Sequence, residues 1–224
     1  MSETIKINKL FHRRVKFLAN LLSPGSLSVL FPPDSPDFDK ILLLSIIMAN
    51  SSAAAPMKRL LNENKDMEIM MKDRWRPATI DLEALKSLPR DSLGYHYASH
   101  MIDNMIPAMK YDDPVTSDSD YIVHRLRETH DIVHTLLGCG ISYEDELQTQ
   151  GFTIFNLRSP LNVVLAVGLI FRLFYTDAPL DKAVAAFTKG AQQGVKAKCL
   201  LAFKYEDGWN RSINEWREDL GIQL

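Results

Sequence analysis

Apolar residues recur along most of this chain at spacings of three and four, and few stretches alternate with the period of two that a half-buried strand would show. Ile7, Leu10, Phe11, Val15, Phe17, Leu18, Leu21 and Leu22 form one such stripe, which predicts a helix ending before Pro24. After a loop over Ser26–Ser35, helical patterns follow at Asp37–Ala49, Pro56–Asn64 and, more weakly, Met67–Arg74. The segment WRPATIDLEALKSLPRDSLG carries Pro77, Pro89 and Gly94, so it reads as a connector with one short helix over Asp81–Leu88. Ser92–Ile106 is helical again and is closed by Pro107. The Ser- and Asp-rich run Tyr111–Asp120 reads as a long solvated loop. Beyond it, helices are predicted at Tyr121–Leu137, Tyr143–Phe155, Leu161–Tyr175, Ala178–Phe187 and Glu206–Leu220. The expectation is a single all-α domain over residues 1–224, compact and multi-helix, without internal repeats.

Two runs, Ile41–Ala49 and Leu161–Phe171, are apolar on every side, yet each is well short of the roughly 20 residues a membrane span needs. They are expected to be buried core helices. At 224 residues the chain is long enough to bury a core without metal or disulfide staples. Its formal charge is only -2, so it offers no general basic field for nucleic acid. Cys139 and Cys199 are too few for a disulfide framework and cannot form a Cys-x-x-Cys zinc site. Basic and apolar residues intermix at the N-terminus, unlike a signal peptide, and no long transit peptide is visible.

The candidate chemistry sits in SDYIVHRLRETHDIVHTLLGCGISYEDELQTQGF. On a helical wheel with His130 at zero, His134 falls at about 40°, Arg127 at about 60° and Asp131 at about 100°. Leu126, Val133, Leu136 and Leu137 occupy the adjacent arc, so this polar quadrant begins where the buried face ends. Gly138 and Gly140 can end the helix, and Ser142 with Asp145 has the spacing of a capping box for the next one. In an antiparallel hairpin, His134 and Glu146 then stand at about the same height, roughly 6 Å from the turn, and can face each other. Two imidazoles at i and i+4 with carboxylates from Asp131 and Glu146 suit zinc, iron(II) or manganese. The same spacing also accommodates a simple Asp131–Arg127 pair, with Glu146 serving the helix dipole.

HDIVHTLLGCGISYEDE fits the pattern His-Asp-x-x-His, eleven residues, Glu, and so resembles the ubiquinone (coenzyme Q) biosynthesis proteins of the Coq-four family. Leu85–Tyr97, which reads LxxLPxxSLGxxY, and the lead DYIVHRLRETHD are similar to the same family. The likeness covers about Arg76–Gly168, while both ends match only in helical character. It implies an all-helical, dimeric protein on the membrane periphery that takes part in quinone synthesis. It also implies His130, Asp131, His134 and Glu146 as ligands of a divalent metal, described for the family as zinc. Without a long presequence, the resemblance is to a bacterial-type member, cytoplasmic and membrane-associated; a eukaryotic member would sit on the matrix face of the mitochondrial inner membrane.

Three function classes follow. In the first, a metal-dependent enzyme replaces the ring carboxyl of a polyprenylated aromatic acid with a hydroxyl; Asp131 or Glu146 accepts a proton and Arg127 grips the anionic head group. Zinc has no redox chemistry, so that reaction would call for iron, manganese or another oxidant. In the second, the chain is a nonenzymatic scaffold that presents such lipids to other quinone biosynthesis enzymes and holds a structural metal. The third is a helical HD-type phosphohydrolase built from His96 or His100, the doublet His130–Asp131 and Asp177. Arg125 is a further candidate for gripping an anion, its alternative being a surface pair with Glu128. Lys6, Lys9, His12, Arg13 and Lys16 lie opposite the first apolar stripe and form a basic amphipathic face suited to an anionic membrane surface, or simply to solvent.

Overall fold

The computed structural model describes residues 38–108, 114–173 and 179–224. The expected basic helix over Ile7–Leu22, part of the polar run 111–120, and Asp177 lie outside these. Among the described residues the only regular elements are helices, and pairing is limited to an isolated bridge between Ser92 and Ser212. They are α1 (Phe38–Ala49), α2 (Ala55–Glu63), α3 (Lys65–Asp73), α4 (Leu82–Lys86), α5 (Leu93–Asp103), α6 (Asp118–Leu137), α7 (Tyr143–Leu157), α8 (Pro160–Arg172), α9 (Leu180–Lys196) and α10 (Ile213–Leu220).

α6 runs through the middle of the molecule, packed by α5 and α1, and folds back through a short turn into α7, which lies against α8 and α9. The main core gathers Met57, Met67, Tyr97, Ile132, Leu136, Phe152 and Trp216 from most of these helices. A smaller cluster of Leu147, Leu173 and Ala183 joins α7, α8 and α9.

Several helix ends differ from the expectation, each for a local reason. α6 starts three residues earlier, at Asp118, because Ser117 and Asp120 form a reciprocal capping box; the Ser- and Asp-rich run that reads as loop contains the cap. α9 continues nine residues past Phe187, through Gly190 and Gly194. A methyl group at either position would run into the α7 backbone at Gln148 or Phe152, so these glycines permit close approach and do not break the helix. α10 begins only at Ile213, because the carbonyls of Trp209 and Arg211 accept from Gly94 and Leu93 and so dock the start of α5.

Two expectations are corrected. α1 is not a fully buried core helix: Leu44 and Ala49 face inward, but Leu43, Ile46 and Ile47 are exposed, as are Val163 and Ile170 on α8. No single helix among the described residues is long and apolar enough to cross a membrane. Arg125 does not reach for an anion at the surface. Its side chain is fully buried, with Nη1 2.5 Å and Nη2 3.0 Å from the Glu206 carboxylate, Nη1 3.3 Å from Glu128, and the Phe203 carbonyl 2.7 Å away. Its guanidinium also lies 5.1 Å from the centre of the Trp75 ring. This buried, multiply bonded cation ties α6 to the 203–206 segment.

Candidate metal centre

The α6–α7 hairpin is built by its turn. Gly138 takes the left-handed conformation (φ 68°) that ends α6, and the amide of Cys139 donates back to the His134 carbonyl at 2.8 Å. Ser142 and Asp145 then form the expected capping box at the start of α7. The result places Glu146 Oε1 3.4 Å from His134 Nε2 and 3.9 Å from His130 Nε2, with the three ligand atoms within 4.8 Å of one another. Donors at about 2.1 Å around a tetrahedral ion stand about 3.4 Å apart, so the set is slightly open and otherwise of the right size.

His134 is the anchor. Its side chain is 1% exposed, and its Nδ1 is 2.8 Å from the Gly140 carbonyl, with Thr149 Oγ1 at 3.5 Å. A carbonyl only accepts, so Nδ1 carries a proton and Nε2 is the nitrogen left facing Glu146. That is the orientation a metal-binding imidazole needs. His130 and Glu146 are 37% and 31% exposed, so one flank of the site is open to solvent.

The electrostatics agree with a site that holds positive charge. Burial opposes a charged His130, but its attraction to the Glu146 carboxylate 3.9 Å away, with the nearby Asp131 carboxylate, prevails and raises its pKa to about 9. Burial likewise opposes an ionised Glu146, yet the two histidines hold its pKa well below the usual carboxylate range. The negative charge that favours a protonated His130 would equally favour a bound cation.

The expected ligands do not all converge. Asp131 lies outside the group whose ligand atoms come together, and it acts on His130 and His100 through its charge. Arg127 lies one turn before His130 and is half-buried. His100, which the sequence offers only within the HD-type alternative, belongs to the cluster: its ring stacks on His134 at 5.6 Å and 23°. Burial and the two neighbouring histidines lower its pKa, against Asp131 and Glu146. No spacing could have revealed it, because the partner ring lies on another helix. His96 sits in different surroundings, near Arg217, Asp91 and Lys86. The HD-type reading leaves His134 and Glu146 idle, and these are the residues brought closest.

Comparison with known proteins decides the family. The model described as coenzyme Q (ubiquinone) biosynthesis protein Coq4 matches residues 19–224. The chain belongs to the Coq4 family. Among its Coq4 relatives, the mitochondrial ubiquinone biosynthesis protein COQ4 homolog of Xenopus tropicalis is 26% identical over 211 residues, or 90% of this chain and 72% of the frog protein. The human protein of the same description is 32% identical over 149 residues, covering 65% of this chain and 56% of the human one. A crystal structure from Nostoc punctiforme, assigned to ubiquinone biosynthesis, superposes with a TM-score of 0.74 at 25% identity, covering 83% of this chain and 89% of that one. Coq4 membership places the chain in ubiquinone biosynthesis and accords with the all-helical architecture.

Proposed function

We propose that this Coq4 family member binds a polyprenylated aromatic intermediate of quinone synthesis at a divalent-metal centre and takes part in exchanging the ring carboxyl for a hydroxyl. The observation that carries this reading is the convergence of His130, His134 and Glu146 across the hairpin, with His134 held in the ligand tautomer by Gly140. Two imidazoles and one carboxylate are a donor set that leaves positions for a ligand, and the exposed flank at His130 and Glu146 gives that ligand access. Bound there, zinc would supply Lewis acidity toward a carboxylate or phenolate oxygen, and iron or manganese would add redox capacity.

The protein's own groups have distinct tasks. His134 sets the centre's position, and Asp131 either completes the ligand set, as the resemblance implies, or accepts a proton beside it. Glu146 is the second candidate acceptor. Arg127 orients an anionic head group through its forked guanidinium. Overall, one aromatic carboxylic acid, one dioxygen, two electrons and two protons give one phenol, one carbon dioxide and one water, so an external reductant must supply the electrons. The surroundings proposed are an anionic membrane surface, a second copy of the chain and other quinone biosynthesis enzymes.

The test is to purify the protein without chelator, measure its metals, and identify extracted lipid by mass spectrometry. His130→Ala and Glu146→Ala should each lose the metal while keeping the helical circular dichroism. Arg127→Lys should keep metal and lipid but complement a quinone-deficient host poorly, since it retains charge and loses the fork. Bound polyprenyl lipid without metal would favour a scaffold instead, as would full complementation by Arg127→Lys.

A further inference from the structure

α5 brings a third imidazole to the site, and the metal reading does not use it. The LxxLPxxSLGxxY stretch explains how. Ser92 caps α5, Gly94 lies against the Trp209 carbonyl with its own amide 2.8 Å from that oxygen, and Leu93, Tyr97, Ala98 and Met101 bury the inner face. These contacts fix both the rotation and the height of the helix. His100, one turn beyond Tyr97, is thereby held against α6 with its ring stacked on His134.

The Nε2 atom of His100 is buried and has no hydrogen-bond partner. Arg125 Nε shares that condition, but its terminal nitrogens are ion-paired. A buried nitrogen without a partner destabilises the protein that carries it, and a phenylalanine would stack on His134 without that cost. Packing alone therefore does not account for histidine here. A partner that arrives with a ligand does.

We propose that His100 contacts the ligand of the metal centre, its Nε2–H donating to an anionic oxygen of an aromatic carboxylate or phenolate seated at His130, His134 and Glu146. The inference rests on the metal reading above and deepens it by naming a residue that selects for an oxygen-bearing ring. His134 already donates its Nδ1 proton to Gly140 and offers Nε2 to the metal, so it has no donor left for such an oxygen. His100 supplies one from the neighbouring helix.

The experiment loads the protein with cobalt(II) and titrates 4-hydroxybenzoate while following the visible bands of the bound metal. His100→Phe and His100→Met preserve bulk and apolar packing, so one can stand for the other if either fails to fold. Both should keep wild-type cobalt stoichiometry and raise the dissociation constant for 4-hydroxybenzoate about tenfold, the loss of one charge-assisted hydrogen bond. His100→Gln, whose amide can donate, should recover part of that loss. An unchanged dissociation constant in folded apolar variants overturns the proposal, as does wild-type protein that takes up cobalt but not the probe. A fall in cobalt stoichiometry also overturns it, since His100 would then only prop His134. Wild-type protein that takes up no cobalt overturns the metal reading itself, which distinguishes the two failures.

Discussion

At the scale of single residues, the candidate site is a charge arrangement that favours a protonated His130. The folded-state pKa of His130 is raised to about 9 against an ordinary 6.5. Its stabilising contribution is therefore complete below about pH 6.5 and is lost as pH rises through about 9. Solvent reaches 37% of the side chain and screens part of the attraction, but the direction is set by Glu146 and Asp131. Metal binding at this site would have the opposite dependence, because an ion would have to displace that proton. Apparent affinity should rise about tenfold per pH unit until about pH 9 and then level off. NMR titration of the metal-free imidazoles checks the premise: His130 should titrate near 9, and Glu146→Gln should return it toward 6.5. A wild-type value already near 6.5 would mean that Glu146 does not hold the proton. The His-Asp-x-x-His spacing and the capping residues make most of this site legible from sequence. His100 is not legible, since its partner is 34 positions away and reaches it only through the docking of α5.

At the scale of elements, helix existence is readable from apolar periodicity, and errors concentrate where one residue type serves two purposes. Ser117 and Asp120 look like loop and act as a cap; Gly190 and Gly194 look like breakers and act as spacers. The α7–α9 pair shows the consequence. Gly151 on α7 faces the Phe187 carbonyl and the Ala191 amide, while Gly190 and Gly194 face the backbone at Gln148 and Phe152. In an isolated helix, Gly190→Ala would be favoured by about 1 kcal/mol. Here the added carbon overlaps backbone that cannot swing aside, and the helices must separate, opening the cluster of Leu147, Leu173 and Ala183. The overlap should dominate, so Gly190→Ala is expected to destabilise the protein by about 1–3 kcal/mol in denaturant unfolding. A stabilised variant would show that α9 is free to shift. Because α7 carries Glu146 near its start, metal affinity measured on the same variant reports whether this packing also sets the hairpin.

At the scale of the whole molecule, the apolar residues of α1 and α8 divide between the core and the exposed surface of the described residues. Periodicity alone cannot tell an all-apolar helix buried on every side from one that presents Leu43, Ile46 and Ile47 outward, since both read as oily. Leu43, Ile46 and Ile47 stand at i, i+3 and i+4, so they form one exposed apolar face of α1. A membrane interface would bury them, and the basic residues Lys9, Arg13 and Lys16 earlier in the chain would add attraction to anionic lipid. The two contributions separate by lipid charge. Replacing Leu43, Ile46 and Ile47 together with Gln should weaken sedimentation with anionic and neutral liposomes alike, because apolar burial does not depend on head-group charge. Replacing Lys9, Arg13 and Lys16 with Glu should weaken binding to anionic liposomes strongly and to neutral ones little, each basic residue contributing about 1 kcal/mol near such a surface. Raising salt should imitate the second set and not the first. If neither set changes sedimentation, the molecule does not rest on lipid through these residues.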